Sequence, residues 1–164
     1  MRKDVAAAGS TVFFALAPGT VAGLVPFLLT GWHVRTAYWP PVRALGGLLT
    51  AAGAAVLVAA FARFVREGVG TPAPLAPPAN LVVGGLYRYV RNPMYLAVVA
   101  TILGQALLLG QPVLLVYAVI VAAACVAFVL GYEQPALRRR FGAQYEAYRR
   151  AVPGWWPRFR PYRG

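Results

Sequence analysis

The chain has 164 residues, of which 60 % are apolar or aromatic and only 12 % charged; soluble domains run at about half apolar and a quarter charged, so an ordinary water-soluble fold is excluded. Sixteen Lys and Arg stand against four acids, Asp4, Glu67, Glu133 and Glu146, for a net charge of +12. Nearly all the bases lie between or after apolar runs, where they meet anionic inner-leaflet lipids at about 1 kcal/mol each, so nucleic acid is not an expected partner.

Val5 to Thr30 carries no charge and is long enough for a helix to cross a hydrocarbon core of roughly 30 Å. It is too long for a signal-peptide core, and no A-x-A cleavage site precedes a soluble domain. A retained first span at about residues 8–29 is predicted. Pro18 and Pro26 predict kinks within it, tolerable where neighbours satisfy the freed backbone groups. Gly19 and Gly23 have the spacing that lets a second helix approach closely.

A connecting stretch from Gly31 to Arg43 carries Trp32, Tyr38 and Trp39, which suit a membrane interface. His33, the only histidine, is read there as an interfacial polar residue, because a metal site needs three or four donors. The second span is Gly- and Ala-rich, at about 44–62, and is ended by Arg63, Arg66 and Glu67. A central loop at 63–92 follows. Its run from Gly68 to Pro78 is broken by proline and glycine, which forbid a regular helix; a lid and a semi-rigid linker are both compatible with it.

The third and fourth spans, at about 93–109 and 112–131, have only Gly110 and Gln111 between them, so a tight antiparallel hairpin is expected. Cys125, the only cysteine, lies inside the fourth span, which leaves no intramolecular disulfide and no cysteine-based metal site. From 133 to 151, Leu137, Phe141, Tyr145 and Tyr148 recur at helical spacing and continue to Val152, with arginines opposite. That pattern predicts a basic amphipathic helix at the membrane surface or against the cytoplasmic ends of the spans. An aromatic and basic tail ends the chain.

Only Arg35 and Arg43 fall on one side of these four spans, and every other base falls on the other. The positive-inside rule therefore places both termini and the central loop in the cytoplasm. The excess of Arg over a single lysine, Lys3, with abundant Ala, Gly and Pro, suggests a high-GC bacterial genome and its inner membrane. The expected architecture is a single all-α integral membrane domain of four spans, the last two a hairpin, followed by the cytoplasmic helix.

Two polar stretches could carry chemistry. Gly84-Gly-Leu-Tyr-Arg-Tyr-Val-Arg-Asn-Pro-Met-Tyr95 precedes and opens the third span. Asn92 suits an N-cap and Pro93 the first helical position. Arg88 and Arg91 with Tyr87, Tyr89 and Tyr95 form a dense hydrogen-bonding surface at a helix start, where unpaired N–H groups favour an anion. Glu133-Gln134 directly follows the fourth span. In a hairpin the start of one helix and the end of the other share a level, so Tyr95 and Glu133 can be neighbours. A salt bridge closing the hairpin is the alternative reading of Glu133.

The series Gly-Leu-Tyr-Arg-Tyr-Val-Arg-Asn-Pro-Met-Tyr, apolar hairpin, and Glu-Gln-Pro-x-Leu-x-x-x-Phe-Gly-x-x-Tyr-x-x-Tyr resembles the C-terminal half of the isoprenylcysteine carboxyl methyltransferase and phospholipid methyltransferase superfamily, over roughly Gly84 to Pro157. The resemblance implies an integral membrane methyltransferase that binds S-adenosylmethionine at the cytoplasmic face and takes a lipophilic acceptor from the bilayer. An Arg-His-Pro-x-Tyr motif and a Glu-Glu pair help form the family's cofactor pocket. The matching positions are Arg91, Asn92, Pro93 and Tyr95, then Glu133 and Gln134, with Tyr87 beside them.

Arg91 and Glu133 are the candidate catalytic residues, and no metal is implied. Asn92 stands where the family has His, and Gln134 where it has a second Glu. Asn keeps hydrogen bonding but cannot exchange a proton near neutral pH, so cofactor binding survives the comparison better than acid–base catalysis. Two rival functions remain at this point. One is a non-enzymatic membrane subunit or lipid-binding scaffold that keeps the fold. The other is a small transporter, which would need polar residues at mid-membrane, where the spans offer little beyond Gln105. The acceptor is not legible.

Overall fold

The computed structural model describes Val12, residues 16–68 and residues 79–163. Arg2, Lys3, Asp4, the opening of the first span and the Pro-rich run 69–78 lie outside the described residues. Among the described residues the regular structure is helical, with no strand. The helices are α1, described over Leu16–Thr30, α2 (Pro40–Gly68), α3 (Pro93–Leu109), α4 (Pro112–Phe128) and α5 (Gln134–Ala151). A short 3-10 helix, Gly85–Arg88, precedes α3, and a π-helical turn, Val129–Glu133, joins α4 to α5. Two stretches, Pro40–Glu67 and Pro112–Ala151, are long and apolar enough to cross a membrane, while Leu16–Thr30 and Pro93–Leu109 are shorter apolar helices.

The chain divides into two compact units. One comprises Ala15–Leu57 and Met94–Cys125. Its α1 contains a π-helical turn, Thr20–Leu24, in which the Val25 N–H reaches back to the Thr20 carbonyl. Pro26 follows and has no N–H to give. The carbonyls of Val21 and Ala22 thereby lose their usual helical donors. Both are recovered from other helices: the Tyr117 hydroxyl donates to Val21 O at 2.8 Å and Gln105 Nε2 to Ala22 O at 2.7 Å. Gln105 is buried, and its Oε1 accepts from Trp32 Nε1 at 3.1 Å. The polar residue inside an apolar helix is thus the partner that a proline-interrupted helix requires.

The backbones of α2 and α3 meet through glycine. A Cβ at Gly46 would lie 2.5 Å from Leu108 N and 2.7 Å from Gly104 O, and one at Gly53 would lie 2.5 Å from Thr101 Oγ1. Such small-residue contacts bring apolar helices together where lipid provides no hydrophobic drive. Gly23, in the expected glycine pair of α1, instead faces open space.

The second unit comprises the described residues within Val58–Pro93 and Val126–Gly164. The helix expected over 44–62 continues to Gly68 and carries Arg63 and Glu67 as an i,i+4 ion pair at 2.6 Å. The helix expected to be regular from 133 to 151 leaves helical geometry at Gly142 (φ 49°, ψ −122°), a conformation that glycine adopts at least cost. Its apolar stripe builds the core of the unit. Tyr145, Tyr148 and Val152 are buried, and Leu81, Val83, Leu137, Phe141 and Tyr162 pack against them.

Candidate functional site

The stretch before α3 is held by the C-terminal tail. The Arg91 N–H donates to Pro153 O, the Arg158 N–H to Tyr89 O and the Tyr162 N–H to Arg88 O, each at 2.9 Å. Arg88 Nε donates to Tyr162 O at 2.7 Å. Segment 88–91 and tail 153–162 therefore run together as a bonded pair. The tail, read from the sequence only as aromatic and basic, is a structural support of the motif, although Trp156 and Phe159 remain exposed.

Arg91 is fixed by side-chain bonds as well. Its Nε donates to Val152 O at 2.9 Å and its Nη1 to the Tyr145 hydroxyl at 3.2 Å. A guanidinium has more N–H donors than these two bonds use, so a rigidly positioned cation keeps capacity for a carboxylate. Asn92 is 6 % exposed and its Nδ2 donates to Gly154 O at 3.0 Å. Gly154 is where the two meet: a Cβ there would come within 3.1 Å of Arg91 Nη2 and 3.5 Å of Asn92 Nδ2. Pro93 is buried as the first residue of α3.

Tyr87 is buried in the 3-10 helix, and its carbonyl accepts from the Tyr148 hydroxyl at 2.7 Å. Burial, and after it the charge of Glu133 with Tyr148 and Glu67, holds the Tyr87 phenol far above its ordinary pKa. Burial also raises Tyr145 and Tyr148, against the opposing pull of Arg91. All three phenols remain neutral hydrogen-bonding groups through the physiological range and none is a base.

Glu133 ends the π-helical turn, in which the Gln134 N–H bonds the Val129 carbonyl. Pro135 follows without an N–H, so the chain bends out of the regular ladder at Glu133-Gln134. Gln134 is buried and Glu133 partly so. The charge of Glu133 acts on both Tyr87 and Tyr145, and Tyr145 is the phenol that Arg91 grips.

The structure thus gathers Tyr87, Arg91, Asn92, Pro93, Glu133 and Gln134 in one unit, while Tyr95 belongs to the other. The supports of the site, Tyr145, Tyr148 and Val152 to Gly154, were legible only as an apolar stripe and a tail.

Two helices long and apolar enough to cross a bilayer, and a polar motif before the shorter apolar helix α3, define a membrane-associated protein that is helical throughout its described regular structure. A match to the phospholipid methyltransferase family covers residues 42–144, and the chain belongs to that family, within the superfamily of integral membrane methyltransferases. No curated protein and no solved structure matches it. The family is one of membrane methyltransferases, which generally use S-adenosylmethionine.

Proposed function

We propose that the protein is an S-adenosylmethionine-dependent methyltransferase that acts on a lipophilic acceptor at the cytoplasmic membrane face. The observation that carries this reading is that Arg91, Asn92 and Pro93 fall in the same compact unit as Glu133 and Gln134, with Arg91 fixed by Val152 and Tyr145. Two motifs more than forty positions apart in the sequence thereby share one unit.

The residues present fit the cofactor. Arg91, fixed by Val152 and Tyr145 with donors to spare, suits its carboxylate. Glu133 suits an amino group or the ribose hydroxyls, Gln134 and the Asn92 amide can add neutral hydrogen bonds, and the start of α3 at Pro93 favours negative charge. Tyr87 supplies aromatic surface for the adenine or the sulfonium. When bound, the cofactor supplies an activated methyl group, so no metal is needed for the reaction.

What remains for the chain is alignment and the exclusion of water. Arg91 and Glu133 orient, and the neutral phenols keep the site free of competing negative charge. With Asn92 in place of His, no imidazole is available at that position, and Glu133 is the carboxylate that could take a proton from an ammonium acceptor. A carboxylate or thiolate acceptor would need no base.

The architecture proposed with this function is a single membrane domain of four spans, α3 and α4 forming an antiparallel hairpin. Both termini and the site face the cytoplasm, and anionic inner-leaflet lipids surround the basic helix α5. In a bacterial cell this is the inner membrane.

Membranes containing the protein, incubated with methyl-labelled S-adenosylmethionine, should yield a labelled apolar product identifiable by mass spectrometry, and S-adenosylhomocysteine should suppress it. A protein that binds no cofactor and labels nothing would be the scaffold that the Asn92 and Gln134 departures allow.

A further inference from the structure

A polar concavity open to solvent shares no residue with the proposed cofactor site. It has a volume of about 310 Å³ and is lined by Arg63, Val83, Gly84, Arg88, Tyr162 and Arg163, at the small end of ligand sites. Its three arginines come from the end of α2, the 3-10 helix and the C-terminal tail.

One acid is in contact with this group. Glu67 sits 2.6 Å from Arg63 Nε and accepts the Gly84 N–H at 2.9 Å through its other oxygen. The Arg63 contact is an ion pair, so Glu67 partly neutralises Arg63. Arg88 Nε rests on a neutral carbonyl, that of Tyr162. Arg163 is exposed at the end of the tail. The lining therefore holds more positive than negative charge, presented by guanidinium forks that match tetrahedral oxyanions. Gly84 lets the Arg63–Glu67 pair approach the backbone: a Cβ there would collide with Glu67 Oε1 and lie 2.5 Å from Arg63 Nη2.

We propose that the cavity between Arg63, Arg88 and Arg163 binds a phosphate group, carried by an anionic phospholipid or by a soluble phosphate ester. A phosphate has enough oxygens for several arginines at once and enough charge to offset the excess. A ligand held there bridges the end of α2, the 3-10 helix and the tail that supports Arg91.

The test uses the intact chain and two probes. The first arm embeds it in nanodiscs of mixed phosphatidylglycerol and phosphatidylcholine and counts retained lipids by native mass spectrometry. The second titrates the detergent-solubilised chain with glycerol 3-phosphate by calorimetry. Selective retention of phosphatidylglycerol supports the site with a lipid source, and saturable binding of glycerol 3-phosphate supports it with a soluble source. In either arm the double variant Arg88→Gln/Arg163→Gln should bind about tenfold or more weakly. Arg163→Gln alone, at an exposed tail position, should weaken binding in the same direction without loss of folding. Arg139→Gln, on the exposed side of α5, should change nothing. Absence of both selective retention and soluble binding overturns the proposal, as does an Arg139→Gln loss equal to that of the double variant.

Discussion

Tyr148 shows how much of the site depends on single hydrogen bonds. Its hydroxyl donates to the buried Tyr87 carbonyl, and Tyr148→Phe leaves that acceptor without a partner at a cost of about 1–2 kcal/mol. A lowered thermal midpoint in detergent, with a weaker hold on the 3-10 helix, is the expected result. Tyr87 and Tyr148 also set an alkaline limit. Their folded pKa values are raised, so stability is fully present below the unfolded phenol value of about 10. It falls as pH rises past that value, because the unfolded state ionises and the folded state does not. An absorbance titration near 295 nm should show a late group of tyrosines ionising together with loss of structure.

Individual residues of the motifs were legible because their types are costly in a lipid-facing chain: an acid at a span end or paired arginines before Asn-Pro demand a reason. Their partners were not. Nothing in the sequence says that Val152 and Gly154 supply carbonyls to Arg91 and Asn92, since backbone acceptors carry no residue signature.

At the scale of elements, the helices follow apolar runs closely, whereas their irregularities follow prolines and glycines in ways that needed tertiary context. Pro26 announced a kink, but only the structure shows Gln105 and Tyr117 taking up the freed carbonyls. Gln105→Leu removes the bonds to Ala22 and Trp32 and should destabilise α1 by about 1 kcal/mol, within the range measured for polar contacts between membrane helices. The break at Gly142 was masked by an uninterrupted stripe on both sides of it. Gly142→Ala forces a side chain into a positive-φ conformation and should cost about 1–3 kcal/mol, read as a drop in the thermal midpoint with far-ultraviolet helicity largely kept.

For the whole molecule, charge asymmetry is the basis of the proposed topology. All bases except Arg35 and Arg43 lie on one side of the four proposed spans, so cysteines introduced at exposed Arg139 and Trp156 should react with impermeant reagents only from the cytoplasmic side, and one at Trp39 only from the opposite side. Cys125→Ser removes the sole native thiol beforehand.

The central proposal is that Arg91 and Glu133 hold the cofactor together within one unit. Equilibrium titration of the purified protein with S-adenosylmethionine, wild type against Arg91→Ala and Glu133→Ala, tests it most directly. Saturable binding by the wild type, weakened about tenfold or more in each variant, is predicted; no binding by the wild type, or unchanged affinity in both variants, would contradict it.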